Sequence, residues 1–433
     1  MRFKLVLQLV VAALLFSSGP AFADEVKGRI MDISRKASTI QINVKGEDPV
    51  VVRFDENTQF IEAGGIADLS GNDLLKVTFD PGKPATSIEK VIFKLPDGVE
   101  ISTDELLALM TGDAPYTLVD ARPKRRYVAA TIPSSAHAFP KDEDFMQTVN
   151  ELAPEKSALL IFYCGGPTCP YTGEAVRKAI ADGYTNVKGY QAGTPAWRKA
   201  QLPMHSQPGW VAERLDPGHV IIDTRNTITA MRGHLPTAVT MPAANFEALT
   251  ETFIAEQRAA RIPGVSDRRA PIILYSNTHS DQDVLVAYRE LASWGYRNIT
   301  ILKDGYNGWA AADLPTDTNT LALAINYVRK LAPGAIAPET FMAMSFPSEA
   351  TQVVDVRTDE EVSSGLIAGA VHIPLNTLED QMGELDKSKP IIVHCATGVR
   401  AEMAYRTLKG AGYDVQYLNV EMEVGPDGSF RIL

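Results

Sequence analysis

Three cysteines in 433 residues are too few to staple a chain of this size, so a disulfide scaffold is excluded. Positive charge is also scarce: 42 Lys and Arg stand against 53 Asp and Glu, a formal charge of −11. That balance disfavours nucleic acid or an anionic membrane as the main partner, because both select for basic surface. After the first residues no apolar run approaches the ~20 residues of a spanning helix, so no stable membrane insertion is expected. Apolar residues are not lacking: 45% apolar with 22% charged is ordinary for a folded protein and excludes disorder. A chain of 433 residues exceeds one hydrophobic core. Three or four units of ~100–150 residues are expected.

The first residues have the composition of an address rather than a fold. Arg2 and Lys4 precede an apolar run over 5–16, Ser17 to Pro20 breaks it, and Ala21-Phe22-Ala23 fits the small-x-small rule for cleavage. The run is too short to cross ~30 Å of hydrocarbon, and no cysteine follows it to carry a lipid. A secretory signal peptide over 1–23 is expected, with a mature start near Asp24. The destination would be an oxidising compartment, periplasmic or secreted.

Residues 24–97 give five β-type runs, at 26–33, 39–44, 50–54, 74–79 and 88–95, with Gly, Pro, Asp and Asn between them. Five strands without a helical period suggest a small all-β, OB-like barrel. The segment is slightly acidic and interleaves no basic and aromatic residues, so docking or spacing is its expected role.

From residue 98 onward the chain repeats itself. Three strands end in an Asp-x-Arg triplet: Asp120-Ala121-Arg122, Asp223-Thr224-Arg225 and Asp355-Val356-Arg357. A proline follows each Asp by 19 or 20 residues, at Pro140, Pro242 and Pro374. Next come apolar runs at 159–163, 272–275 and 391–394, which read as parallel strands buried on both faces. Helical period follows, with Ala175/Ala179, Ala287/Leu291 and Ala404/Leu408 at i, i+4. Each helix stops at a Gly-Tyr pair, Gly183-Tyr184, Gly295-Tyr296 and Gly412-Tyr413, whose glycine suits a left-handed C-cap. Two blocks end in Gly-x3-Trp, Gly193 to Trp197 and Gly305 to Trp309; the third lacks it. Alternating strands and helices predict an α/β fold with parallel sheets. In such folds ligands gather where a strand C-terminus turns into a helix. That junction falls at Cys164, Ser276 and Cys395.

The third junction carries the most chemistry. Cys395 is followed by Ala396, Thr397, Gly398, Val399 and Arg400. A cysteine there faces loop amides and the positive end of the helix dipole, and both favour thiolate over thiol. Gly398 permits the tight turn, and Arg400 offers a bidentate fork to an oxyanion. His394 is adjacent, but neighbouring strand residues point to opposite faces, so a His394–Cys395 dyad is not expected. The first junction has Cys164 and Cys169, with Tyr171 where Arg400 stands in the third. Its two thiols could form a disulfide or a resolving pair for a persulfide, whereas metal lacks the further Cys or His ligands at zinc spacing. The second has Ser276, with Asp283 at the arginine position, and is expected to be catalytically silent.

Taken together, the Asp-x-Arg strand, the segment Gly369-Ala370-Val371-His372-Ile373-Pro374, and Cys395-x4-Arg400 followed by Ala401 resemble the rhodanese superfamily. The first two blocks resemble diverged modules of it, and the resemblance spans 98–433. It implies a sulfurtransferase, with sulfane sulfur carried as a persulfide. Cys395 would be the carrier, Arg400 the donor-anion binder, and Ala396, Thr397, Gly398 and Val399 the loop around the donor. Small sulfur anions such as thiosulfate, and a thiol or cyanide acceptor, are the implied partners, without cofactor or metal. Module 2 or the N-terminal domain would be the surface for a protein partner. Within the family, a loop of cysteine plus five residues goes with sulfur transfer, and one more goes with phosphatases and arsenate reductases. The longer first loop resembles a periplasmic variety with Cys-x4-Cys, which keeps Cys164 as a second catalytic candidate and Cys169 as its disulfide or resolving partner.

The expected division is 1–23, 24–97, 98–205 with the Cys164 loop, 206–317 with Ser276, and 318–433 with a short linker helix and the Cys395 loop. Two readings of other classes stand beside sulfur transfer: a non-catalytic scaffold that holds a partner, and a thiol redox protein working through Cys164 and Cys169.

Overall fold

A computed structural model gives the structure of the chain and describes residues 24–35, 38–47, 49–80, 82–256, 259–318 and 320–432. The expected signal peptide lies outside the described residues. Among them no helix is long and apolar enough to cross a membrane. The chain forms two compact units. One contains the N-terminal sheet and the third module, the other the first two modules and the linker that follows them.

The N-terminal sheet has six strands, β1 (Asp24–Ser34), β2 (Thr39–Val44), β3 (Val50–Arg53), β4 (Gln59–Ile61), β5 (Leu74–Phe79) and β6 (Ala85–Lys90). Their order is β3-β2-β1-β5-β6-β4, antiparallel except for the β4–β6 pair. Alternation works as period two requires: Leu75 and Val77 are buried and join Ile30, Ile40, Ile42, Val52 and Ile88 in one core. No ladder joins β3 to β4 among the described residues, which leaves two edges where a closed barrel has none. The short β4 adds a sixth strand to the five expected.

The first module builds a parallel sheet from β7 (Thr117–Asp120), β8 (Ala136–His137), β9 (Leu160–Tyr163) and β10 (Val187–Tyr190), in the order β10-β9-β7-β8. The second uses β11 (His205–Ser206), β12 (Val220–Asp223), β13 (Val239–Thr240), β14 (Ile272–Tyr275) and β15 (Ile299–Leu302), ordered β11-β15-β14-β12-β13. Because β11 belongs to this sheet, the boundary expected at 205/206 cuts through a strand, and the second module starts before His205. The third repeats the order with β16 (Ala335–Ile336), β17 (Gln352–Asp355), β18 (Val371–His372), β19 (Ile391–His394) and β20 (Val415–Leu418), as β16-β20-β19-β17-β18.

The central strands β9, β14 and β19 are buried at every residue, as their unbroken apolar runs imply. Helices Tyr171–Ala181, Gln282–Ser293 and Val399–Gly410 follow them and bury Ala175, Ala179, Ala287, Leu291, Ala404 and Leu408. Gly183, Gly295 and Gly412 end these helices at φ +94°, +89° and +84°. The following tyrosine amide then reaches back to the carbonyl five residues earlier, the bond that closes such a C-terminus.

One expectation needs correcting. Residues 320–334 hold no helix among those described. Their backbone is claimed by module 2 instead: Thr240 donates to the Ala322 carbonyl and Val328 donates to that of Pro217. The first helix of the third module is Pro338–Met342. The third block also lacks the helix that carries Trp197 and Trp309 in the other two. A hairpin of β21 (Met422–Val424) and β22 (Phe430–Ile432) stands there, with Phe430 against Phe341 and Phe346.

Candidate active site

The Asp-x-Arg triplets proved to be staples of the fold. Asp120, Asp223 and Asp355 are fully buried at their strand ends. In each, the arginine two residues on returns its fork: Nε and Nη2 bond the two carboxylate oxygens at 2.9 and 2.5 Å for Arg122, 2.9 and 2.7 Å for Arg225, and 3.0 and 2.6 Å for Arg357. The same Nη2 donates to a carbonyl eight residues further along, of Ala130, Gly233 or Gly365. Paired and hydrogen-bonded, the charges can be buried beneath the strand ends.

On this frame β19 presents Cys395, which is 1% exposed and free. The Gly398 amide donates to its Sγ at 3.1 Å. Gly398 turns the loop into the helix at φ +95°, where a Cβ would meet Oδ1 and Cα of Asn419 at 2.6 and 2.7 Å. Only glycine fits there. Ala396, Thr397 and Val399 are half-buried, and the Ala396 carbonyl accepts from Met422 of the hairpin at 2.9 Å.

Arg400 lies in the first helical turn and is 2% exposed. Its fork is not open to a donor anion: Nη1 and Nη2 bond Oε2 and Oε1 of Glu361 at 2.5 and 2.8 Å. The direct anion grip expected of Arg400 is therefore replaced by an internal ion pair. Glu361 sits in the helix Asp359–Val362, inside a capping box with Thr358. Burial opposes charge on both partners, and their mutual hydrogen bonds overcome it, lowering the Glu361 pKa and raising that of Arg400. The Arg400 Nε is buried without a hydrogen-bond partner. Glu361 was missed in the sequence, although Thr358-x-x-Glu361 is a readable capping signal.

His394 forms no hydrogen bond with Cys395. Both ring nitrogens are buried without a hydrogen bond, and Nε2 lies 3.6 Å from Oδ2 of Asp355. Burial pushes its pKa down, against the pull of Asp355. Tyr163 and Tyr275 occupy the same place in the other modules and donate to Asp120 and Asp223 at 2.9 Å.

Cys164 and Cys169 are joined as a disulfide, with Cα atoms 6.4 Å apart. Cys164, the second catalytic candidate, thus has no free thiol in this state, and Tyr171 packs edge-on to Phe139. In the second module Ser276 is buried, and Asp281 folds its carboxylate into the loop. It accepts from the Thr278 amide at 3.1 Å and the Thr278 hydroxyl at 2.5 Å. Burial works against this charge, yet bonds from Thr278, Ser276 and Asn277 hold its pKa below the ordinary carboxylate range.

Among curated proteins the chain is 38% identical over 78 residues to a candidate sulfur carrier protein, YrkF, of Bacillus subtilis (strain 168), covering 18% of this chain and 42% of that protein. It is 30% identical over 82 residues to the thiosulfate sulfurtransferase GlpE of Pseudomonas entomophila (strain L48), covering 19% and 73%. The chain thus spans less than half the length of the first of these. A solved thiosulfate sulfurtransferase from Pseudomonas aeruginosa is 20% identical, covering 74% of this chain and 63% of that one with a TM-score of 0.26. The model of the rhodanese-like domain matches three stretches, 102–200, 207–312 and 338–423, together more than half of the chain. The chain belongs to the rhodanese family and carries three of its domains in tandem.

Proposed function

We propose that the protein is a sulfurtransferase whose third module carries sulfane sulfur on Cys395. One observation supports this above the rest: Cys395 is the free cysteine at a strand-to-helix junction, with a loop amide 3.1 Å from its sulfur. The thiolate would attack the outer sulfur of thiosulfate. An S–S bond forms to Cys395, the bond to the sulfonate breaks, and sulfite leaves with its electron pair. A cyanide or thiolate acceptor then attacks the outer sulfur, and the Cys395 thiolate departs. The Gly398 amide stabilises the anionic sulfur in both steps, since its dipole is already aimed where the charge resides.

The division into 98–205, 206–317 and 318–433 is proposed with two shifts: β11 joins module 2, and so does the linker over 320–334. Export to the periplasm through a leader at 1–23 is the proposed location, supported by the Ala21-Phe22-Ala23 site. An N-terminus at Asp24 on the protein recovered from the host would bear this out, and an intact leader would end it.

The function is tested by treating the purified chain with thiosulfate and mapping the added sulfur by peptide mass. The expected adduct is one sulfur on Cys395, lost together with cyanide-dependent turnover in Cys395→Ala and kept in Cys164→Ala. Full turnover in Cys395→Ala would move the chemistry to the first module.

A further inference from the structure

The Asp–Arg staple stands in all three modules, so it serves the fold. The Glu361–Arg400 pair does not follow that pattern. Four residues after the staple arginine, module 3 has Glu361, while module 1 has Arg126 and module 2 has Thr229. Where module 3 has Arg400, module 1 has Tyr171 and module 2 has Asp283. A module thus holds both halves of the pair or neither. The two modules without it still build the same parallel sheet and the same strand-to-helix junction. The module with it is the one whose junction cysteine is free.

With both terminal nitrogens bonded to Glu361 and only 2% of its surface exposed, Arg400 presents no open terminal fork to a donor oxyanion. Arg400 stands in the first turn of the helix that the Cys395 loop enters, and Cys395, after the Glu361 hydrogen bonds, is among the groups that favour its charged form. Resting on the reading of Cys395 as sulfur carrier, we propose that Glu361 is a positioning residue for sulfur transfer. It clamps Arg400 beside the Cys395 loop, so that the cation stabilises the cysteine's sulfur anion instead of gripping the donor.

Removing the carboxylate separates this role from simple neutralisation by sign. If Glu361 only cancels charge, its loss leaves Arg400 unopposed near Cys395, and the thiol becomes more acidic. If Glu361 positions Arg400, the unpaired guanidinium moves to solvent, because an uncompensated buried charge is costly. The thiol then becomes less acidic.

The experiment uses the full chain with the Cys164–Cys169 disulfide intact, so that iodoacetamide reports Cys395 alone, read by peptide mapping against pH. In Glu361→Gln the alkylation midpoint should rise by about one pH unit, and persulfide formation from thiosulfate should slow about tenfold. The thiosulfate KM should stay within about twofold, since the loss falls on the transition state and not on binding of the donor. Glu361→Asp should recover part of the rate. The swapped variant Glu361→Arg with Arg400→Glu keeps an ion pair but puts the carboxylate beside the sulfur; it should fold and load no sulfur. A midpoint that stays or falls in Glu361→Gln, or parent rates in the swapped variant, would overturn the proposal. Should the swapped variant not fold, the Glu361→Gln midpoint decides alone. A parent chain that loads no sulfur on Cys395 would instead refute the carrier reading itself, whichever way that midpoint moves.

Discussion

Replacing Gly398 by alanine should damage stability and sulfur loading together, and the two losses can be estimated separately. At φ +95° an L-residue adopts a left-handed conformation, at about 1–2 kcal/mol. The new methyl would also press on Cα of Asn419 at 2.7 Å, a backbone atom that cannot rotate aside. Forced displacement of this kind costs a further ~1–3 kcal/mol. The chemical loss comes from the amide that donates to Sγ of Cys395 at 3.1 Å. A hydrogen bond to a charged group contributes roughly 1.5–3 kcal/mol, so its loss should slow persulfide formation about 10- to 150-fold. Gly412→Ala is the control, because Gly412 shares a positive φ of +84° but has no heavy atom within 4 Å of its would-be Cβ. That variant should show backbone strain alone and load sulfur at the parent rate. Hydrogen exchange on peptides of module 3 suits the stability arm better than one global melt, since a chain of several domains does not unfold as two states. A Gly398→Ala chain with parent exchange and parent loading would show that neither the turn nor the amide matters as argued.

Three further outcomes follow from the same geometry. Asp223→Asn leaves Arg225 buried against a neutral partner and should destabilise module 2 by about 3 kcal/mol, while loading on Cys395 is unchanged; a loading defect would mean that the staple has a chemical role. Replacing Cys164 and Cys169 together by serine removes a bridge of sequence separation 5. The expected cost is about 2 kcal/mol of chain-entropy stabilisation in module 1, measured by denaturation, and loss of Cys395 loading would contradict the assignment. His205 packs edge-on against His279 with ring centroids 4.7 Å apart, and burial, with His279 and Lys303, pushes its pKa down to about 3. An unfolded histidine binds its proton near 6.5, so this group's stabilisation is complete above that pH and fades as pH falls toward 3, by up to ~1.4 kcal/mol per unit. His205→Gln should flatten the fall of thermal midpoint between about pH 6 and 4, and an unaltered slope would remove His205 from the account.

The repeat, its central strands and its helix ends could be read before any coordinates because each depends on local chemistry. Strands buried on both faces are unbroken apolar runs, as at Ile391–His394, and a left-handed helix end calls for glycine, as at Gly412. What could not be read depends on distant partners. The three residues of β4 become a strand only because β6 lies beside them, in parallel register Gln59 to Ser87. Residues 320–334 have enough apolar residues for a helix, yet the second module takes their backbone bonds. Arg400 has the spacing of an anion binder, but its fork closes on Glu361, 39 residues away. No local pattern announces that contact.

On the proposed function, one position in the three junctions decides which module can carry sulfur. Gly398, Cys169 and Asp281 each stand 14 residues before the glycine of the Gly-Tyr pair. Each closes its loop back toward the strand end: by an amide on Cys395, by a disulfide to Cys164, and by a carboxylate that accepts from Thr278 and Ser276. Only the first closure leaves a sulfur unbonded and faced by a donor dipole. The disulfide consumes the nucleophile, and the carboxylate puts negative charge where a sulfur anion would form. At about 4 Å and an effective dielectric of 20, that repulsion is worth ~4 kcal/mol, close to a thousandfold in rate. Serine is thus not the only obstacle in module 2. In a Cys395→Ala background, Ser276→Cys alone should take up no sulfur from thiosulfate, whereas Ser276→Cys with Asp281→Gly should load the new thiol measurably. Peptide mass after thiosulfate treatment decides the matter: equal loading with and without Asp281 would show that its carboxylate does not silence the module.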